Sequence, residues 1–371
     1  MIRVLLVDDS DVSPLHEQRI IDASATARVV ALARDGAEAI AAARHFKPDV
    51  IAMDLQMPGL NGFEATRAIM ETTPTPIVVV CGLSDATVKS VTMSALEAGA
   101  VAVLDRPPAP NHPNFARHCR ELLDTLRICS EVRLVRRWKG SEASTVPSQP
   151  PTQDQANLLP RLANSGGLNP LRAGAIVAIG ASTGGPVALL ELLRELPASF
   201  PLPICVVQHI AAGFVDSMAT WLNNAVPLQV AVASEGEKLL AGRVLLAPHG
   251  THLTVACRGE VRLQGGPTEY GMCPAVAQLF RSAAEVQRDQ AAGILLTGMG
   301  LDGAAELGLM RQAGAVTFAQ DSNSSLVFGM PGEAVRLKSA EHVLSPQAIG
   351  GALIRLTESP GGAGRRPPGR G

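Results

Sequence analysis

Aromatic residues make up only 3% of this 371-residue chain. A stacking platform for single-stranded nucleic acid needs more of them, so the core must be built from Ala, Val, Leu and Ile. No excess charge of one sign is present either. The formal net charge is −2, and nothing global favours DNA or an anionic membrane surface. Long apolar runs are missing. Stretches such as Ile77–Val80 are strand-sized, far from the ~20 residues of a membrane helix. The N-terminal run from Ile2 to Val7 is short and is stopped by Asp8 and Asp9, which does not suit a secretory signal. The six cysteines (81, 119, 129, 205, 257, 273) include no C-x-x-C pair. That argues against a zinc or disulfide framework and fits reduced thiols in a cytoplasmic protein.

Hydrophobic residues at 46% and charged residues at 18% exclude disorder over the whole chain. The length suggests two domains or three. The 35 glycines and 27 prolines exceed the average share and point to loop-rich or linker-rich segments.

The first ~110 residues alternate strand and helix patterns. Strands are expected at Val4–Val7, Arg28–Ala33, Val50–Met53, Ile77–Val80 and Val101–Leu104. Helices are expected at Pro14–Ser24, Gly36–His45, Gly62–Glu71, Ala86–Ala98 and Pro113–Lys139. Gly140–Pro170 is rich in Ser, Pro, Gln, Asn and Gly and reads as a flexible linker. A second alternating region runs from Ala175 to about Leu356, followed by a basic tail. Such alternation implies two α/β domains, each a doubly wound parallel sheet.

In an open parallel sheet, ligands gather at the carboxyl ends of the strands. Asp8 and Asp9 close the first strand, and Asp54 closes the third. Three carboxylates at one edge repel unless a hard cation such as Mg²⁺ joins them. This constellation, with Met57-Pro58-Gly59 and Gly62, resembles the receiver domain of two-component response regulators. The resemblance implies a flavodoxin-like fold with Asp54 as phosphoacceptor. It also implies Mg²⁺ on Asp8, Asp9, Asp54 and the Gln56 carbonyl. Two positions depart from that pattern. Cys81 stands where a Thr or Ser is usual, and a thiol is a weaker donor. Arg106 stands where a Lys is usual, and its planar fork is not equivalent to an ammonium.

In the second region a strand runs into Gly180-Ala-Ser182-Thr-Gly184-Gly185-Pro186. Gly-x-Ser-x-Gly at a strand-to-helix junction suits a nucleophile elbow. A phosphate-cradling loop is the competing reading. A nucleophilic serine needs a base and an orienting carboxylate. His209 closes the next strand, and Asp302 follows a later one. Backbone amides of Gly298-Met299-Gly300 could form part of an oxyanion hole. The chain order of α/β-hydrolases would instead select Ser182, Asp302 and His342, but His342 begins its strand and falls at the opposite edge. His249 and His252 form H-x-x-H in an apparent loop. They lack a third ligand for a metal and fit better as a wall of the substrate cleft.

These segments, with Gln320-Asp321 and Val327-Phe-Gly-Met-Pro331, resemble the catalytic domain of chemotaxis protein-glutamate methylesterases, the CheB family. The resemblance implies a Rossmann-like esterase domain over 173–356 and a receiver over 1–125. Between them lies a linker over 126–172, a helix followed by a flexible segment, and residues 357–371 form a tail. It implies a Ser182–His209–Asp302 triad with the Met299 amide on the oxyanion and no cofactor for the esterase step. The implied reaction is hydrolysis of glutamate γ-methyl esters on methyl-accepting chemotaxis receptors, with glutamine deamidation by the same acyl chemistry. A histidine kinase would be the phosphodonor, and the unphosphorylated receiver would cover the cleft. A monomer without nucleic-acid or membrane-inserted partners is expected. The alternative is an interaction module with an inactive hydrolase fold. A DNA-binding regulator is disfavoured, because the basic run Arg133–Lys139 ends a helix, where positive charge is favoured.

Overall fold

The computed structural model describes residues 1–10, 13–82, 95, 96, 98–131, 171, 172, 174–210, 213–257 and 259–358. Two parallel sheets organise them.

The first sheet contains β1 (Ile2–Val7), β2 (Ala27–Ala33), β3 (Val50–Met53), β4 (Ile77–Cys81) and β5 (Ala102–Asp105). Their order is β2-β1-β3-β4-β5, and every pair is parallel. Strands β3 and β4 are buried at every residue, as near-continuous Val/Ile runs require when helices cover both faces. Helices α1 (Ser13–Asp22), α2 (Gly36–Phe46), α3 (Gly62–Thr72) and α4 (Phe115–Ser130) accompany it. Asp35 and Asn61 start α2 and α3 by accepting from the backbone N–H of Glu38 and Glu64, at 2.8 and 2.9 Å. These are N-caps of the preferred residue types.

The second sheet contains β6 (Ile176–Ala181), β7 (Ile204–Gln208), β8 (Gln229–Val232) and β9 (Arg243–Leu246), then β12 (Ala291–Leu295), β13 (Val316–Gln320) and β14 (His342–Leu344). The order is β14-β13-β12-β6-β7-β9-β8, parallel throughout. Its helices are α5 (Gly185–Arg194), α6 (Val215–Ala225), α7 (Val276–Val286), α8 (Ala304–Gln312), α9 (Met330–Arg336) and α10 (Pro346–Thr357). A separate antiparallel hairpin pairs β10 (His252–Ala256) with β11 (Glu260–Gln264).

The two doubly wound parallel sheets match the expected fold class. The differences have local causes. Edge strand β8 shows one fully buried residue in four, so it carries no apolar run to read. Residues 248–251 form the loop expected there, but His252 starts the hairpin. Helix α9 opens Met-Pro-Gly, where Pro suits a first turn but Gly weakens the pattern. Leu122, Leu126 and Cys129 of α4 are buried in the first core, so that helix stays with the first body beyond residue 125. Leu171 is buried, and its N–H donates to Leu356 O at 2.8 Å, so the second body begins before residue 173. Most of the expected helix over 86–98, the linker over 140–170 and nearly all of the tail lie outside the described residues. No helix among the described residues is long and apolar enough to cross a membrane.

Candidate active site and phosphoacceptor site

Each sheet has one place where the chain reverses its direction of winding. In the second sheet the chain leaves β6 for β7, β9 and β8, then returns to the other side of β6 as β12. The crevice at the carboxyl ends of β12, β6 and β7 is therefore the default ligand site. Ser182 follows β6 and His209 follows β7, while Asp302 lies in the loop after β12. Their strands are adjacent, so side chains far apart in sequence meet.

The nucleophile turn is tightly held. Ser182 N donates to Thr297 O at 3.0 Å, and Gly185 N donates to Ser182 O at 2.8 Å. Gly184 has φ +80, and a Cβ there would lie 2.7 Å from Leu326 Cβ. Only glycine fits that turn. A Cβ on Gly298 would come within 2.6 Å of Ser182 Cβ, so the loop after β12 presses directly on the serine. Thr297 Oγ1 donates to Thr183 O at 3.0 Å and accepts from Val327 N at 2.9 Å. Met299, next in that loop, is 38% exposed. Among the described residues its N–H has no protein acceptor, which leaves a free donor one residue after Gly298.

His209 Nε2 lies 2.9 Å from Asp302 Oδ2. Asp302 Oδ2 also accepts from Val276 N at 2.7 Å, and Oδ1 accepts from Ala277 N at 2.9 Å. Those two amides open α7, where the helix dipole favours negative charge. A carboxylate only accepts, so Asp302 places the imidazole proton on Nε2. His209 Nδ1 is buried without a hydrogen-bond partner among the described residues. A buried lone pair without a partner is open to a proton donor, and strand β7, which His209 follows, lies next to β6, which leads into Ser182.

The other histidines stand elsewhere. His342 starts β14 at the sheet edge and packs on Phe318, ring centroids 5.3 Å apart. Burial pushes its pKa down. Asp302 engages His209, not His342. His252 is buried in the hairpin, with Nε2 3.1 Å from Pro267 O and Nδ1 accepting from Ala275 N at 3.2 Å. It pins the 267–275 loop, and His249 is exposed.

In the first sheet the winding reverses at β1 and β3. Asp8 and Asp54 follow those strands. Asp8, Asp9 and Asp54 bring carboxylate oxygens within 4.8 Å of one another, the only such metal-type cluster among the described residues. Hard oxygens in this number fit a divalent cation such as Mg²⁺. Burial pushes the Asp8 pKa up, against the pull of the Ser10 N–H and Arg106. Gln56 is exposed, and its N–H donates to Asp54 Oδ1 at 3.3 Å. Cys81 is buried at the end of β4, and its carbonyl accepts from Arg106 N at 3.1 Å.

Arg106 does more than replace an ammonium. Its Nη2 bridges Asp8 Oδ2 at 2.6 Å and Asp54 Oδ2 at 2.8 Å, and Nη1 donates to Ser13 Oγ at 3.1 Å. Its Nε lies 3.3 Å from Glu17 Oε1. That contact is an ion pair without hydrogen-bond alignment, since both atoms lack a hydrogen-bond partner among the described residues. Glu17, in α1, is a site residue that sequence reasoning missed. It is 2% exposed, and burial pushes its pKa up to about 7. Its signal was present: Pro14, Glu17 and Ile21 form the buried stripe of α1, and an acid on such a stripe needs a partner.

Leu326 links the two bodies. It abuts the Gly184 turn and also packs against the first body's core cluster, which includes Leu122 and Leu126.

Residues 177–353 match the CheB methylesterase family, and residues 4–112 match the response regulator receiver domain. A protein-glutamate methylesterase/protein-glutamine glutaminase of Nitrosospira multiformis is 44% identical over 97% of this chain and 98% of its own length. One of Geobacter metallireducens is 44% identical over 96% of this chain and 99% of its own. The solved Thermotoga maritima CheB methylesterase catalytic domain is 37% identical. It covers 50% of this chain and 100% of its own, at a TM-score of 0.48.

Proposed function

The chain belongs to the protein-glutamate methylesterase/protein-glutamine glutaminase family, and we propose that Ser182, His209 and Asp302 carry its hydrolysis. His209 Nδ1 takes the Ser182 proton as Oγ attacks the γ-carbonyl of a glutamate methyl ester. Asp302 holds the proton on Nε2 and stabilises the imidazolium. The Met299 N–H donates to the tetrahedral oxyanion. The Nδ1 proton passes to the methoxide, and methanol leaves. Water then gives a proton to Nδ1 and its hydroxide to the acyl carbon, which restores Ser182 and leaves a glutamate carboxylate. With a glutamine side chain the leaving group is ammonia. The observation that carries this reading is the buried His209 ring, with Nε2 on Asp302 and Nδ1 unpaired.

Phosphorylation of the receiver controls this enzyme, and the proposed acceptor is Asp54. Asp8, Asp9 and Asp54, with the Gln56 carbonyl, would hold Mg²⁺, which offsets the charge of an incoming phosphoryl group. Arg106 is placed to pair with that phosphoryl group once it releases Asp54. The proposed partners are methyl-accepting chemotaxis receptors as substrate and a histidine kinase as phosphodonor. We place the enzyme in the cytoplasm as a monomer. The contact of Leu326 with both bodies supports a receiver that restrains the cleft until it is phosphorylated.

The test is methanol release from methylated receptor. Ser182→Ala should lower turnover by about 10⁴-fold or more, and activity within about tenfold of wild type refutes the triad. Beryllofluoride, an acyl-phosphate mimic, should raise the wild-type rate. Equal rates with and without it refute restraint by the receiver.

A further inference from the structure

Gln208 ends β7, one residue before the base. Its side chain is buried. The carboxamide Nε2 donates to Ser182 O and to His209 O, both at 2.8 Å. One NH₂ group thus ties the main chain of the nucleophile to the main chain of the base. The orientation of the amide is forced, because a flip would set its oxygen against two carbonyl oxygens.

The remaining atom makes the case stronger. Gln208 Oε1 is buried with no hydrogen-bond partner among the described residues. It lies against Gly185, where a Cβ would come within 2.0 Å of it. An unpaired buried acceptor loses its hydration without compensation. Simple filling of this space would be cheaper with an apolar side chain. Gln320, which ends β13, supplies the contrast. Its Oε1 accepts from Thr297 N at 2.7 Å and its Nε2 donates to Ser324 O at 2.9 Å, so both ends are satisfied. Of these two glutamines, Gln208 is the one whose oxygen is left unpaired among the described residues and whose amide bridges Ser182 and His209.

We propose that Gln208 is a positioning residue. It sets the separation of Ser182 and His209 by holding both main-chain carbonyls, so that Nδ1 faces Oγ. The inference rests on the triad reading above. Displacement of reacting groups by about 1 Å can cost on the order of 100-fold in rate.

The test uses full-length protein with beryllofluoride and reads three quantities: kcat and KM for methanol release, the rate of covalent labelling by a fluorophosphonate, and the melting temperature. In Gln208→Leu we expect kcat and labelling to fall together by about 100-fold with KM unchanged. Gln208→Glu keeps the shape but replaces the donor by an acceptor and should fall at least as far. It serves equally if the Leu variant fails to fold. Thr317→Val is the control. It removes another buried hydrogen bond, to Ser339 O at 2.8 Å, and should lower stability while leaving kcat unchanged. Labelling retained in folded Gln208 variants overturns the proposal. So does a loss confined to KM, or a kcat loss matched by Thr317→Val. Labelling that persists in Ser182→Ala overturns the triad itself and the proposal with it.

Discussion

Asp302 caps a helix and orients a histidine, and Asp302→Asn separates the two roles. The carboxylate accepts three hydrogen bonds, from Val276 N, Ala277 N and His209 Nε2. Asparagine offers one oxygen and one NH₂. With the oxygen toward Val276 and His209, the NH₂ meets the Ala277 N–H donor to donor. After a flip, the NH₂ meets Val276 N–H, and His209 must accept at Nε2. The imidazole proton then moves to Nδ1, and the base is lost. Both orientations strand a buried donor, at about 1–3 kcal/mol, and forfeit charge-assisted bonds. The expected stability loss is on the order of 3 kcal/mol. The expected fall in kcat is about 10⁴-fold, the scale set by triad carboxylates elsewhere. Methanol release measures the rate, and chemical denaturation measures the stability. A variant that loses the stability but keeps kcat within about tenfold of wild type refutes the orienting role and leaves Asp302 as a helix cap.

Three further outcomes follow from the receiver site and the oxyanion loop. Arg106→Leu leaves Asp8, Asp54 and Glu17 without their shared cation. Breaking a buried pair costs about 3–5 kcal/mol, so receiver melting should drop and Mg²⁺ should recover much of it by binding the native state. Melting unchanged by the substitution would show that Arg106 is not the resting counter-ion. Glu17 has its folded pKa raised to about 7 from 4.5. The native state therefore holds the proton longer than the unfolded chain. This contribution is fully present below about pH 4.5 and is lost as pH rises to 7. Glu17→Gln should flatten the fall and stabilise the receiver at pH 8 by on the order of 3 kcal/mol. Equal pH slopes in the two proteins, measured by denaturation, contradict it. Gly298→Ala puts a methyl group 2.6 Å from Ser182 Cβ, so fluorophosphonate labelling should fall about tenfold or more, and labelling at the wild-type rate would refute the close approach.

Much of this was legible because it is local. Buried strands announce themselves as runs of Val and Ile, and strand ends place Asp8, Asp54, Ser182 and His209 on the ligand-binding edges. Asp35, Asn61 and Ser345 cap their helices, as those residue types do wherever they precede a helical pattern. Edge strand β8 and the β10–β11 hairpin were not legible: β8 and β11 carry exposed residues, and the buried polar His252 and Thr254 interrupt the apolar run of β10. Glu17 was half-legible: its stripe could be read, but its partner lies in another part of the chain.

The sequence by itself determined the strand–helix alternation, the tight glycine turns and the residue types at each strand end, because these depend on neighbours a few positions apart. The tertiary structure decided which nitrogen of His209 faces Asp302. It decided that the first turn of α7 holds Asp302, that Arg106 spans three carboxylates, and that Gln208 ties two carbonyls together. His209 and Asp302 are 93 residues apart, and Arg106 and Asp8 are 98 apart. Contacts over such distances depend on which strand ends become neighbours in the sheet, and that order is a property of the packed fold and not of any local pattern.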